Sequence, residues 1–450
     1  MAKNVLSVPE KDKKYFWHPF THMKSYLSQE PLIIEEAEGV MLKDVQGNWY
    51  IDGVSSLWCN LHGHRRKEID EAIKAQLAKV AHSTTLGLTN IPAARLAERL
   101  ARISPSGLNH IFYSDDGSTA VEVALKMAFC YWQEKEGRAR AKFISFENAY
   151  HGDTLGAVSV GGIELFHSRF SPLLFQNFVA PSPYCYRCSL GKDPSSCRLA
   201  CLKKLEQILA QNKGEVAAVI IEPLVQAAGG MIVAPEGFLS GVRELTCRYN
   251  TMLIADEVAV GFGRTGKMFA CQWEDVSPDL MAVAKGLTAG YLPLAATLAT
   301  DEIFEAFLGD DARKTFFHGH TFTGNPLASA AALASLDIFE KENVLENLRP
   351  KISLLEKRLA QFSQLNRVGD IRQKGLIAGI ELVRNRKTKE PFPAEEKTGI
   401  KVCLKARKHG VIIRPLGDVI VIMPPLAISI SQLEALLDAI YASIEAITES

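Results

Sequence analysis

The sequence predicts an α/β protein with a large domain built on a mostly parallel sheet and a smaller α+β domain drawn from both ends of the chain. Three observations lead there. Short apolar runs alternate with helix-like runs through the middle of the chain, the pattern of a parallel sheet covered on both faces. The carboxyl-terminal part changes to long amphipathic helices and isolated short strands. A hairpin pattern near the amino terminus lies outside the alternation and is free to join that second unit.

In chain order, Val40–Asp52 reads as a hairpin around a Gln46-Gly47-Asn48 turn. The strand-like run Ile111-Phe-Tyr113 leads into a helix from about Ser118 to Glu136, and Lys142–Phe146 follows as the next strand. Val216–Ile221, a helix near Leu239–Tyr249 and Met252–Ala255 repeat the unit. Beyond them come a helix from about Asn343 to Ser363, strands at Gly379–Val383 and Val419–Met423, and a final helix from about Ser431 to Thr448. The expected divisions are 1–60 and 331–450 for the smaller domain and 61–330 for the larger. Ligands of such sheets lie beyond the carboxyl ends of the strands.

Composition narrows the function. The 450 residues are 47% apolar, and 51 Lys and Arg balance 51 Asp and Glu, so no bulk field favours nucleic acid or an anionic membrane. Met1–Lys14 lacks the apolar core of a signal peptide, and no later stretch approaches the roughly 20 apolar residues of a membrane span. A soluble cytoplasmic enzyme for small molecules is expected. Nine cysteines in such a chain read as reduced thiols rather than a disulfide framework.

The chemistry starts at Lys285 and Asp256. An aldehyde cofactor such as pyridoxal 5′-phosphate needs an amine to hold it and a fixed carboxylate to keep its pyridine nitrogen protonated. Asp115-Asp-Gly117-Ser118-Thr119 follows a strand and opens a helix, where free amides and hydroxyls suit a phosphate. Tyr150, in Asn148-Ala-Tyr-His-Gly-Asp153, is placed to stack on a planar ring. Glu222 and Gln226 end another strand, within reach of a cofactor hydroxyl.

These motifs, in this order, resemble the fold-type I, class III aminotransferases. The likeness extends over Phe16-Trp-His-Pro-Phe-Thr21, Asp52-Gly-Val-Ser-Ser-Leu-Trp58, His62-Gly63, Gly261–Ala270, Phe317–Pro326, Arg414-Pro-Leu-Gly417 and Met423-Pro-Pro425. Within that family the blocks are most similar to the branch of biotin biosynthesis that aminates 8-amino-7-oxononanoate to 7,8-diaminononanoate. The resemblance implies that Lys285 anchors the cofactor and shuttles the proton, that Asp256 faces the ring nitrogen, and that Gly117 and Ser118 hold the phosphate. Tyr150 and Val258 would enclose the ring, and Glu222 would lie beside it. It also implies a homodimer with shared active sites, Thr321 reaching the phosphate from the partner subunit with His320 on the same side. Phe20, Leu57, Trp58, Asp153 and Gly319 would line the substrate site, and Arg414 would bind the substrate carboxylate in the bidentate manner of a guanidinium. Kinetics would be ping-pong.

Members of the family that use S-adenosylmethionine as amino donor carry Tyr, Trp, Pro and Tyr where this chain has Phe20, Leu57, His320 and Val421. Aromatic faces attract a sulfonium by about 0.5–2 kcal/mol each, so their loss disfavours that donor. The same departures resemble the branch that uses L-lysine, with Asp418 or Asp153 available for the distal ammonium. S-adenosylmethionine remains an alternative donor. A general ω-amino acid or polyamine transaminase using pyruvate or 2-oxoglutarate is an alternative activity, and a catalytically silent cofactor-binding protein is the alternative class.

Other motifs receive plainer readings. Gly261-Phe-Gly-Arg-Thr-Gly266 fits a dinucleotide pattern but lies deep in the chain with no clear helix start after it, so a glycine-shaped loop is expected. Cys185, Cys188, Cys197 and Cys201 have a spacing that zinc or an iron–sulfur cluster accepts. The family chemistry needs no metal, and none is expected. His62-Gly-His64 and His318-Gly-His320 lack acidic or thiol partners at ligand spacing and read as backbone- or pocket-shaping residues.

Overall fold

A computed structural model describes residues 6–137 and 140–449; the first five residues of the amino-terminal stretch and the last residue of the final division lie outside the described residues. Seven strands form the central sheet in the order His110–Ser114, Ala295–Ala299, Leu280–Val283, Met252–Asp256, Val216–Ile221, Lys142–Phe146, Phe178–Ala180. All run in one direction except Ala295–Ala299, which is antiparallel to both neighbours. Every residue of Val216–Ile221 is buried, which is why that strand reads as an unbroken apolar run.

The helix Gly117–Glu136 covers one face of this sheet. Ala120, Val121, Ala124 and Ala128 pack with Ala217, Ile220 and Ala282 in one core cluster, and the small side chains let the helix lie close to the strands. Its start is a capping box, with the Thr119 amide donating to the Asp116 carboxylate at 3.1 Å and the Asp116 amide donating to the Thr119 hydroxyl at 3.2 Å. Gly137, at φ 67°, ends it. The helix therefore begins one residue earlier than the sequence suggests, which places Gly117 and Ser118 in its first turn.

The amino-terminal hairpin pairs Met41–Asp44 with Trp49–Asp52. Trp49–Asp52 in turn lies parallel to Val411–Ile412, so the two ends of the chain share one sheet. A second four-stranded sheet joins Val368–Lys374, Ile377–Leu382, Val419–Ile422 and Pro415–Leu416, with Val344–Phe362 and Ile430–Thr448 among its helices. No helix among the described residues is long and apolar enough to cross a membrane.

The 261–266 loop is a run of turns, with φ of 54° at Phe262, 86° at Gly263 and 96° at Gly266. Its arginine points inward rather than toward a ligand phosphate. Arg264 is 1% exposed and donates to Ser55 Oγ at 2.9 Å, to the Asn60 carbonyl at 3.0 Å and to the Pro424 carbonyl. Burial lowers its guanidinium to about 10. The loop is thus an internal tie between the two ends of the chain.

Candidate active site

Five segments converge at the carboxyl edge of the central sheet. Asp116–Ser118 follows the first strand, Tyr150–Gly152 follows Lys142–Phe146, Glu222 follows Val216–Ile221, Asp256 ends its own strand, and Lys285 stands two residues past Leu280–Val283. Together with Trp58 and Val258 they line a cavity of about 230 Å³. Parallel strands impose this convergence, because each leaves its last residue on the same edge.

Asp256 is the anchored group of the cavity. Its Oδ2 accepts from His151 Nδ1 at 2.7 Å, and its Oδ1 accepts the Val258 amide at 3.1 Å. A carboxylate only accepts, so the proton of the first bond resides on His151. His151 is 2% exposed, and its Nε2 is buried without a partner among the described residues. The sequence reading named the segment for Tyr150 and missed this histidine. Its one sequence signal is its place beside Tyr150, just past the end of a strand.

Lys285 makes no hydrogen bond or ion pair among the described residues, and its Nζ stands 5.6 Å from the centroid of the Trp58 ring. Burial lowers its pKa from the ordinary lysine value, against the opposing pull of Asp256 and Glu222. The amine is therefore shifted toward the neutral, nucleophilic form. Glu222 is enclosed, accepts the Tyr150 and Ala227 amides at 3.1 and 2.9 Å, and is pushed by burial up to about 7. Gln226 instead bonds Ser182 and the Glu147 carbonyl, so only Glu222 of that pair faces the cavity.

The phosphate end is shaped by two glycines. A Cβ on Gly152 would lie 2.1 Å from Ser118 Oγ, and one on Gly117 would lie 2.7 Å from a Val258 methyl. Gly152 also has φ 119°, which side chains disfavour. Ser118 Oγ accepts the Asp153 amide at 3.0 Å. The first-turn amides of Gly117 and Ser118 have no acceptor among the described residues, as an anion site at a helix start requires. Tyr150 and Val258 both line the cavity, and the Tyr150 hydroxyl donates to Asp153 at 2.6 Å. A buried amine, an anchored carboxylate and a glycine-walled helix start fit pyridoxal phosphate.

Other residues expected at the site stand apart from this wall. Leu57 is half-exposed, and Phe20 contacts Phe166 edge-on at 5.4 Å, which contacts Tyr150 at 6.2 Å. Gly319 and Thr321 are exposed, and His320 stands 3.7 Å from Asp115 with its Nε2 buried and unpartnered among the described residues. Arg414 is exposed and makes no hydrogen bond or ion pair among the described residues. Asp418 accepts the Gly399 amide at 2.9 Å at a helix start, whereas Asp153 accepts from the hydroxyl of Tyr150 on the cavity wall. Val421 is buried in the strand Val419–Ile422 opposite Gly379, outside the cavity wall.

The remaining motifs have structural partners. His62 bonds Ser335 at 3.0 Å, His64 faces Asp52 at 3.3 Å, and His318 accepts from Lys126 at 3.1 Å. Cys185 lies within electrostatic reach of Cys188 and Cys197, but among the described residues no three His, Cys, Asp or Glu side chains converge on a metal position. The excursion that holds these thiols is tied down by Tyr184 and Arg187, which both donate to Glu381.

The chain is similar to known aminotransferases over nearly its whole length. The model of the aminotransferase class-III family matches residues 24–444. A Geobacter sulfurreducens protein named adenosylmethionine-8-amino-7-oxononanoate aminotransferase is 58% identical over 439 residues, covering 97% of each chain. An Aquifex aeolicus protein of the same name is 55% identical over 431 residues, 95% of each. Among solved structures, the Methanocaldococcus jannaschii adenosylmethionine-8-amino-7-oxononanoate aminotransferase superposes with a TM-score of 0.93 at 48% identity over 98% of both chains. An (S)-enantioselective omega-transaminase from Thermomicrobium roseum reaches 0.93 at 36% identity, again over 98% of both.

Proposed function

The chain belongs to the class III aminotransferases, which depend on pyridoxal phosphate, and from that premise we propose that it aminates 8-amino-7-oxononanoate to 7,8-diaminononanoate with L-lysine as donor. The observation that carries the acceptor is the whole-length similarity to proteins named for it, joined to a cavity in which Lys285, Asp256 and Glu222 meet. Pyridoxal phosphate, once bound, supplies a reactive aldehyde and an electron-withdrawing ring. Asp256, oriented by His151, would hold its ring nitrogen; Ser118 and the first-turn amides would hold its phosphate; Tyr150 and Val258 would close on its two faces.

The protein residues then act in sequence. Lys285, kept partly neutral by its surroundings, accepts the proton from the substrate carbon that carries nitrogen and returns it on the far side of the transfer. Trp58 covers the amine and excludes water. Arg414, a cation with no partner among the described residues, is the group we assign to the substrate carboxylate. Gly319 and Thr321 are exposed on this chain with the partly buried His320 between them, and we assign the three to the cavity of a second copy in a homodimer. The divisions 1–60, 61–330 and 331–450 are proposed as the domains.

The donor rests on the aliphatic Leu57 and the hydroxyl-free Phe20, which present little aromatic surface to an adenosyl sulfonium. The names of the relatives favour S-adenosylmethionine as the second reading. Purified holoenzyme given 8-amino-7-oxononanoate with each donor separates the two. Turnover with lysine alone is expected; turnover with S-adenosylmethionine alone overturns the donor assignment, and no turnover with either overturns the acceptor.

A further inference from the structure

Between the hairpin and the cavity the chain makes one turn of left-handed helix. Ser55, Ser56, Leu57 and Trp58 have φ of 45°, 43°, 66° and 74°, and the Trp58 amide bonds the Val54 carbonyl at 2.6 Å. None of the four is glycine. Residues with a Cβ hold this conformation only where their surroundings over-determine it.

Two buried charges supply that constraint. Asp52, with no exposed surface, accepts the Ser56 amide at 2.7 Å, the Ser56 hydroxyl at 2.8 Å and the Val54 amide at 3.3 Å. From the other side Arg264 holds the Ser55 hydroxyl and the Asn60 carbonyl. The Ser55 hydroxyl also donates to the Met423 carbonyl at 2.9 Å, which fixes the turn to the opposite end of the chain.

The hand of the turn decides which neighbour faces Lys285. Trp58 lines the cavity, 7% exposed, with its Nε1 buried and unpartnered among the described residues, whereas Leu57 is 43% exposed and off the wall. A turn of the opposite hand would swing these two side chains to different faces. We propose that Asp52 and Arg264 are positioning residues that, by locking the left-handed turn, present Trp58 to the substrate and hold position 57 outside the cavity wall, at the exposed rim where its side chain selects the amino donor. The inference rests on the assignment of the Lys285 cavity as the transamination site.

The test is a coupling measurement on holoenzyme with Leu57→Trp, Asp52→Ala, Asp52→Asn and Leu57→Trp/Asp52→Ala. Asp52→Ala is expected to raise KM for 8-amino-7-oxononanoate by about tenfold or more with kcat within about threefold and the cofactor absorbance retained, the signature of lost substrate binding. Asp52→Asn, which keeps one acceptor oxygen, should recover part of that loss. Leu57→Trp should change the ratio of kcat/KM for S-adenosylmethionine to that for lysine by about tenfold in the intact background and by less than about twofold with Asp52→Ala. Additive effects in the double variant overturn the proposal, as does an unchanged KM in Asp52→Ala. Should Asp52→Ala fail to fold, Asp52→Asn carries the same comparison, with a smaller rise in KM and a partial loss of the Leu57→Trp effect expected, and additive effects again overturning the proposal. Transamination by Lys285→Ala would instead refute the site itself, and an inactive Lys285→Ala beside an unaltered Asp52→Ala would refute only the positioning role.

Discussion

Replacing Glu222 by Gln separates two consequences of burying that carboxyl. Burial raises it from 4.5 to about 7, so the folded chain keeps a proton that the unfolded chain releases between those values. A group raised on folding adds stability that is full below its unfolded value and is lost as pH climbs through its folded value. At about 1.4 kcal/mol per pH unit, the cofactor-free wild type should lose about 3 kcal/mol from this site between pH 4 and 8. Gln cannot titrate and removes that loss. It brings a fixed cost of about 1–3 kcal/mol instead, because its amide nitrogen must face one of the two amides that Glu222 now accepts. Urea unfolding of both proteins across this range should therefore show a wild-type advantage in acid that shrinks or reverses by about pH 8. A difference constant within about 0.5 kcal/mol would show that Glu222 ionises normally in the fold and refute the reasoning.

Lys285→Ala should fold yet lose transamination by about 10²–10⁴-fold or more, the usual contribution of a positioned acid–base group; retained turnover would exclude Lys285 from the chemistry. His151→Ala removes a charge-assisted bond to a buried carboxylate worth about 1.5–3 kcal/mol, so kcat/KM should fall by about 10- to 100-fold. His151→Asn, whose amide reaches where Nδ1 now donates, should recover part of it, and an Ala variant within about twofold of wild type would deny His151 that role. Gly152→Ala forces a methyl onto Ser118 Oγ and a side chain into φ 119°, so its cofactor affinity, read by titrating the cofactor absorbance, should fall by about tenfold or more. Unchanged affinity would show that the Ser118 cradle does not hold the phosphate.

How much of this was legible in the sequence depended on whether side-chain chemistry or three-dimensional context set the outcome. Lys285 and Asp256 could be paired because an aldehyde cofactor demands an amine and a carboxylate, and the strands around Val216 and Met252 announce themselves by apolar runs. The antiparallel strand Ala295–Ala299 did not. Alanine has little strand preference, and this strand is held by antiparallel pairing to His110–Ser114 and Leu280–Val283, partners distant in sequence or on the other side of a turn. His151 was hidden for another reason: its meaning lies in a bond to a residue 105 positions away. The left-handed turn was the least visible, since Ser-Ser-Leu-Trp contains none of the glycine or asparagine that normally marks such a conformation.

The pairing of Trp49–Asp52 with Val411–Ile412 also sets a timetable for the chain's synthesis. About 360 residues separate the partners, and at roughly 5–20 residues per second the hairpin waits on the order of half a minute before its neighbouring strand is made. Ser55 and Gly53 must wait longer still for Met423. The central sheet, whose strands lie between residues 110 and 299, can assemble during that interval. The left-handed turn cannot, because part of its support has yet to leave the ribosome. Trp58, which lines the Lys285 cavity, therefore gains its last backbone support only when nearly the whole chain has been made.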